Sequence, residues 1–372
     1  MSKSKKSAIF HYASSETDAD LLYLAGFRSG DPFVYAHVGR KRYLIVTDFE
    51  VGRATEESNV DEVIALSGLA AKAGGIDLYD AALRFLNDKG VGTIIVPEQF
   101  SIGIAKRFEA DGIAIEIVEG AFVPERAMKN SYEVKLIKET QRKAEKAMEA
   151  AIQWIRSSSV RRGTLYVSGK PLTSEMVRKR IELQLMEQGC LAAHTIVACG
   201  DDGIDPHNTG SGALRANKPI IIDIFPRSLN HYYWADITRT VVKGKATPTV
   251  KKMFRAVREG QRIAMTMIKP GARADLIHKA IHDHFEETGF QTKMANGRME
   301  GFIHGTGHGV GLEIHEMPRV SKARGKLKAG HVITVEPGLY YKGHGGIRLE
   351  DLVLVTPEGG KSLTRFAKIL EV

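Results

Sequence analysis

Cysteine is nearly absent from this chain: Cys190 and Cys199 are the only two in 372 residues. Two cysteines cannot build a disulfide framework, and their scarcity fits a reducing compartment. Long apolar runs are missing as well. The strongest centres on Ile220-Ile221-Ile222, far short of the roughly 18 residues of a membrane span. The opening MSKSKKSAIF is basic but has no extended apolar stretch, so no cleaved leader and a cytoplasmic location are expected. Zinc-finger spacing and the aromatic-glycine signature of RNA-binding modules are absent too. The net charge is +9, yet apart from Lys3, Lys5 and Lys6 the lysines are dispersed along helical stretches among acids. That pattern reads as a soluble surface with a positive bias, and neither nucleic acid nor a membrane is expected as a partner.

What is present is ordinary globular composition, 43% hydrophobic and 26% charged. At about 150 residues per domain the length predicts two or three domains. Apolar runs at Tyr43–Thr47, Thr93–Val96 and Ile113–Val118 read as strands, with helical stretches at Asp77–Asn87 and Ser101–Ala110. His37-Val38-Gly39-Arg40-Lys41 reads as a hairpin turn. This is an α/β domain with a mostly open sheet, and no chemical constellation stands out in it. Pro124-Glu125-Arg126 interrupts the pattern, which predicts domains over 1–125 and 126–372.

The second domain reads as a repeat. Asn130 and Glu133 have capping-box spacing ahead of a long helix, a second helix runs from Thr173 to Glu187, and strands follow at Thr195–Ala198, Pro219–Phe225 and Tyr232–Val242. The order then recurs: helices Val250–Ile268 and Ala274–Glu287, then strands Val332–Tyr341 and Ile347–Val355. Acids recur with it. Asp223 and Asp236 are 13 residues apart, Glu336 and Glu350 are 14 apart, and corresponding members are offset by 113 and 114. A pseudo-twofold domain would bring all four to its centre.

Taken singly, each acid also reads as a solvated edge position or a partner of Arg239 or Arg348. Taken together, converging carboxylates repel unless cations neutralise them. The segment His304-Gly305-Thr306-Gly307-His308-Gly309 adds nitrogen donors, with glycines beside His308 leaving backbone room for an ion or substrate. Carboxylates with one histidine suit divalent ions such as Mn, Co, Fe or Zn, and paired ions activate water and polarise carbonyls.

The segments DIF…ADITRT, HGTGHGVGLEIHE, TVEPGLYY and GGIRLED resemble the pita-bread metallopeptidases, the family of methionine aminopeptidase, aminopeptidase P and prolidase. The resemblance covers roughly residues 130–372, and the preceding α/β domain resembles the creatinase-type N-terminal domain of the last two. It implies a creatinase-type α/β domain followed by a pseudo-twofold pita-bread catalytic domain. It further implies two divalent ions per chain, Mn foremost and Co, Zn or Fe as alternatives, and a homodimer. By resemblance the ligands fall on Asp223, Asp236, His308, Glu336 and Glu350, with Asp236 and Glu350 bridging. His207 in PHNTGSG, His304, His315 and Arg348 match residues around the substrate, His315 near the scissile carbonyl and Arg348 supporting the site. Glu336 would move the proton. Arg319 resembles the prolidase position that holds the free carboxylate of a C-terminal proline.

The implied activity is cleavage of the amide bond before proline in short peptides, foremost Xaa-Pro dipeptides. Xaa-Pro aminopeptidase action on longer peptides is the alternative. A metal-free creatinase-like enzyme, a lyase or a binding protein on this fold would each show eroded ligands, and all five are present. One departure stands out: Phe225-Pro226 follows the first Asp, and the hairpin to Asp236 is about two residues longer than the family pattern.

Overall fold

Gly39, with φ of +65°, allows Val38 to turn directly onto Lys41, and that two-residue turn sets the register of the first sheet. A computed structural model describes residues 6–70, 76–192, 194–295 and 297–372; Lys3 and Lys5 lie outside them. Two compact units, Met1–Arg126 and Ala127–Val372, make up the chain. Among the described residues the first unit holds a six-stranded sheet ordered β4-β3-β2-β1-β5-β6. These strands are β1 (Lys6–Ala13), β2 (Phe33–Val38), β3 (Lys41–Val46), β4 (Glu62–Ala65), β5 (Val91–Pro97) and β6 (Ala114–Val118). The centre is antiparallel, while β4, β5 and β6 join in parallel. The helix Leu78–Asp88, capped by the Asp77 side chain, and the helix Ile102–Ala110 bury Phe85 and Phe108 in its core.

The second unit is built twice over. Asn130 accepts from the Tyr132 and Glu133 amides, and Glu133 accepts in return from the Asn130 amide, so the capping box opens the helix Ser131–Ser157. Thr173 caps Ser174–Glu187. The strands Ile196–Cys199, Pro219–Ile224 and Ile237–Val242 then form an antiparallel sheet. In the second half Thr247 caps Pro248–Met267, whose proline occupies the first turn where no N–H is needed. Ala274–Glu287 follows. The strands Gly307–Gly309, Val332–Val335 and Asp351–Thr356 repeat the antiparallel order, flanked by Glu316–Val320 and Gly359–Ser362. The halves share a core in which Val310, Val332 and Leu352 pack in one cluster with Ile137, Ile222 and Ile237.

The expected strands are longer than those observed. Tyr232–Val242 begins only at Ile237, Val332–Tyr341 breaks after Val335, and Ile347–Val355 is interrupted at Leu349-Glu350. Of the four acids only Asp223 lies within a strand; Asp236, Glu336 and Glu350 sit at the breaks. The physical cause is visible in the backbone. Pro337 has no N–H to continue a ladder, the Glu336 amide bonds to Thr306 O at 2.8 Å, and the Glu350 amide crosses to Thr238 O at 3.1 Å. Each break turns a carboxylate inward while its backbone stays paired.

Candidate metal centre

The strand-end positions converge. Asp236 stands one residue before Ile237–Val242 and Glu350 one residue before Asp351–Thr356, so the two halves present them equivalently. Asp236, His308 and Glu350 offer ligand atoms that all lie within 4.8 Å of one another, and all three residues are buried. Glu336 joins through His308, whose Nε2 lies 3.2 Å from its Oε1 and 3.8 Å from Asp236 Oδ2. Asp223 accepts from Arg348 at 2.6 Å through Oδ2. Arg239 is not a partner of these acids. It ion-pairs with Asp351 at 2.8 Å and donates to the Thr238 and Glu350 carbonyls, fixing the backbone that carries Glu350.

The electrostatics follow from this crowding. Burial, and then the charges of Glu350, Asp223 and Glu336, push the Asp236 carboxyl well above the usual carboxylate range. Burial followed by Glu336 and Asp223 does the same to Glu350. Asp223 is raised by burial against the opposing charge of Arg348. Burial acts on Glu336 too, but hydrogen bonding and charge from His308, with His304 and Arg348 behind them, bring it down to about 2. Four carboxyl groups this close cannot all ionise in a dry pocket unless a cation joins them.

The donors fit divalent ions. Asp223 Oδ1 and Asp236 Oδ1 are buried without a hydrogen-bond partner. His308 Nδ1 faces Gly309 O at 3.1 Å, which leaves Nε2 as the free lone pair toward the acids, the usual orientation of a ligating histidine. The glycines beside His308 serve a different purpose from the one expected. A Cβ at Gly307 would overlap the Thr334 carbonyl and one at Gly309 the Met317 carbonyl, so neighbouring strands, not a ligand, occupy that room.

A cavity of about 890 Å³ opens above the cluster, within the range of small-ligand sites. Its lining brings together every expected residue: the four acids and one histidine of the cluster, His207, His304, His315, Arg319 and Arg348. His315 is exposed to the cleft with its ring edge-on to His308, centroids 4.4 Å apart. Partial burial of that ring, then the charges of His308 and Arg319, lowers its pKa to about 4, so it is neutral at pH 7. Arg319 pairs in register with His308 across adjacent strands, which puts both side chains on one face. His304 has both nitrogens engaged, Nδ1 with Gly305 O at 2.7 Å and Nε2 with the Tyr340 hydroxyl at 2.8 Å.

Several site residues escaped the sequence reading. Thr238 donates to Glu350 at 2.8 Å, Thr334 to Glu336 at 3.1 Å, and Tyr340 OH accepts from Arg348 at 3.0 Å. The threonines stand two residues from Asp236 and Glu336, a spacing that puts side chains on one strand face and could have flagged them. His194 also lines the cavity, as does Phe225, so the longer hairpin does form a pocket wall.

Residues 135–357 match metallopeptidase family M24. The chain is 30% identical to an Xaa-Pro dipeptidase of Pyrococcus horikoshii over 88% of its own length and 85% of the relative's. Its fold is similar to an X-Pro aminopeptidase from Thermotoga maritima (TM-score 0.83, 26% identity, 99% and 98% of the two chains). It is also similar to a prolidase from Pyrococcus furiosus (TM-score 0.80, 27% identity, 97% of each chain).

Proposed function

Because the chain belongs to metallopeptidase family M24, we propose that it hydrolyses the amide bond preceding proline, with Xaa-Pro dipeptides as substrates. The observation that carries this reading is Arg319 lining the same cavity as the buried acid cluster, on the face shared with His308. A planar guanidinium pairs bidentately with a carboxylate, so Arg319 would hold the free carboxylate of a C-terminal proline. A peptide continuing past proline presents an amide there and leaves the guanidinium unmatched.

Asp223, Asp236, His308, Glu336 and Glu350 would hold two divalent ions, Mn foremost. Such ions, when bound, lower the pKa of water and polarise the scissile carbonyl. Glu336 takes a proton from the attacking water on its carboxylate and returns it to the proline nitrogen, which has no hydrogen of its own. Neutral His315 donates its ring N–H to the carbonyl oxygen as that oxygen gains charge. Arg348 keeps Asp223 oriented, and His207 and His304 bound the substrate pocket. In this reading residues 126–372 carry the chemistry and residues 1–125 form an accessory creatinase-like domain. The enzyme works as a cytoplasmic homodimer, with no nucleic-acid partner. No helix among the described residues is long and apolar enough to cross a membrane.

The test compares kcat/KM for an Xaa-Pro dipeptide and its C-terminal amide, in the wild type and in Arg319→Ala. The wild type should prefer the free acid, and losing the charge-assisted pair should cost about 1.5–3 kcal/mol of that preference. A wild type that prefers the amide or a tripeptide, or an unchanged ratio in Arg319→Ala, makes the enzyme an aminopeptidase instead.

A further inference from the structure

The loop 310–315 leaves the His308 strand and ends on His315, immediately before Glu316–Val320 begins. It is gripped from two sides. On one, the longer hairpin contributes Trp234, whose backbone N donates to Gly311 O at 2.8 Å and whose Nε1 donates to Leu312 O at 3.0 Å. On the other, Glu316 folds its carboxylate back against the loop. Its Oε1 accepts the Glu313 amide at 3.1 Å, and its Oε2 accepts Lys129 Nζ at 2.7 Å. A Cβ on Gly311 would overlap this carboxylate. The side chains of Lys129 and Glu316 are 1% and 6% exposed. Lys129 is itself anchored, its amide bonded to Gly330 O at 2.8 Å and its neighbour Asn130 capping the first long helix of this unit.

A buried ion pair is a poor device for stability, because desolvation offsets most of the attraction. Geometry is what this one supplies. It ties the residue next to His315 to a rigid helix start, 187 positions away in sequence. We propose that the Lys129–Glu316 pair is a positioning device that sets the reach of His315 into the cleft. Neither residue lines the cavity. The proposal rests on the reading of His315 as donor to the reacting carbonyl.

Glu316→Gln keeps the shape and the acceptor for Glu313 while removing the charge facing Lys129. It is measured alone and in a His315→Ala background, with kcat, KM, bound metal and Tm recorded for each. Misplacing a catalytic group by a fraction of an ångström to 1 Å costs up to roughly a hundredfold, so kcat should fall by about ten- to a hundredfold with KM and metal content unchanged. In His315→Ala the same substitution should cost less than about twofold more, since a residue acting through another has nothing left to position. Lys129→Met combined with Glu316→Gln, which strands no buried charge, should show the same coupling and serves if the single variant does not fold. Equal losses in both backgrounds, or a loss confined to KM or bound metal, overturn the positioning role while leaving His315 in place. A wild-type kcat in His315→Ala alone overturns the His315 reading, and the proposal with it.

Discussion

Asp236 and Glu350 are the residues on which the most electrostatic stress falls, each raised by burial and by its neighbours. Replacing either with alanine removes one source of that stress together with a donor. Asp236→Ala and Glu350→Ala should therefore still fold, with Tm of the metal-free protein equal to or above the wild type, but lose bound metal and nearly all activity. Metal analysis of protein purified without chelator, beside a melting curve, checks both halves; full activity after exhaustive chelation is the contrary result. These positions were legible because duplication leaves an arithmetic trace, the matched offsets between halves. Tyr340 was not, since a tyrosine within a strand is ordinary β composition and acquires meaning only from what faces it.

Helices were the most legible elements and the ends of strands the least. The helix Ser131–Ser157 starts where the capping box of Asn130 and Glu133 puts it, and the helix Ala274–Glu287 lies where the sequence reading placed it. Pro337 marks the strand break at Glu336 in the sequence, but the break at Glu350 did not announce itself, because its backbone partner, Thr238 O, comes from the other half of the second unit. The helix Ala274–Glu287 also carries a pH consequence. It buries His278 against Phe302, with Nδ1 3.1 Å from the Thr306 hydroxyl. Burial, then the positive charges of Lys322, His282 and His304, lowers its pKa to about 4. The folded state thus holds His278 neutral while the unfolded chain protonates it near pH 6.5. Its stabilising contribution is fully present above about pH 6.5 and is lost as pH falls toward 4, with a slope of up to about 1.4 kcal/mol per pH unit. Denaturant titrations of the wild type and His278→Gln between pH 7 and 4.5 should show the stability gap narrowing as the pH drops. A constant gap would mean that His278 is not the group responsible.

At the scale of the whole second unit, the acids and His308 stand on a seam. Asp223 and Asp236 belong to the first half, and His308, Glu336 and Glu350 to the second. An ion held there fastens one half to the other, and without it like charges face each other across the join. Anything bound to the folded state and not to the unfolded one adds stability by mass action, about 1.4 kcal/mol for each tenfold of free ion above Kd. Melting curves across a series of buffered free-metal concentrations should climb in step with the logarithm of that concentration. A Tm indifferent to metal would mean that no ion binds the folded state in preference to the unfolded one. The survival of the folded chain against proteolysis is then tied to the metal supply of its cell, whether or not any peptide is being cut.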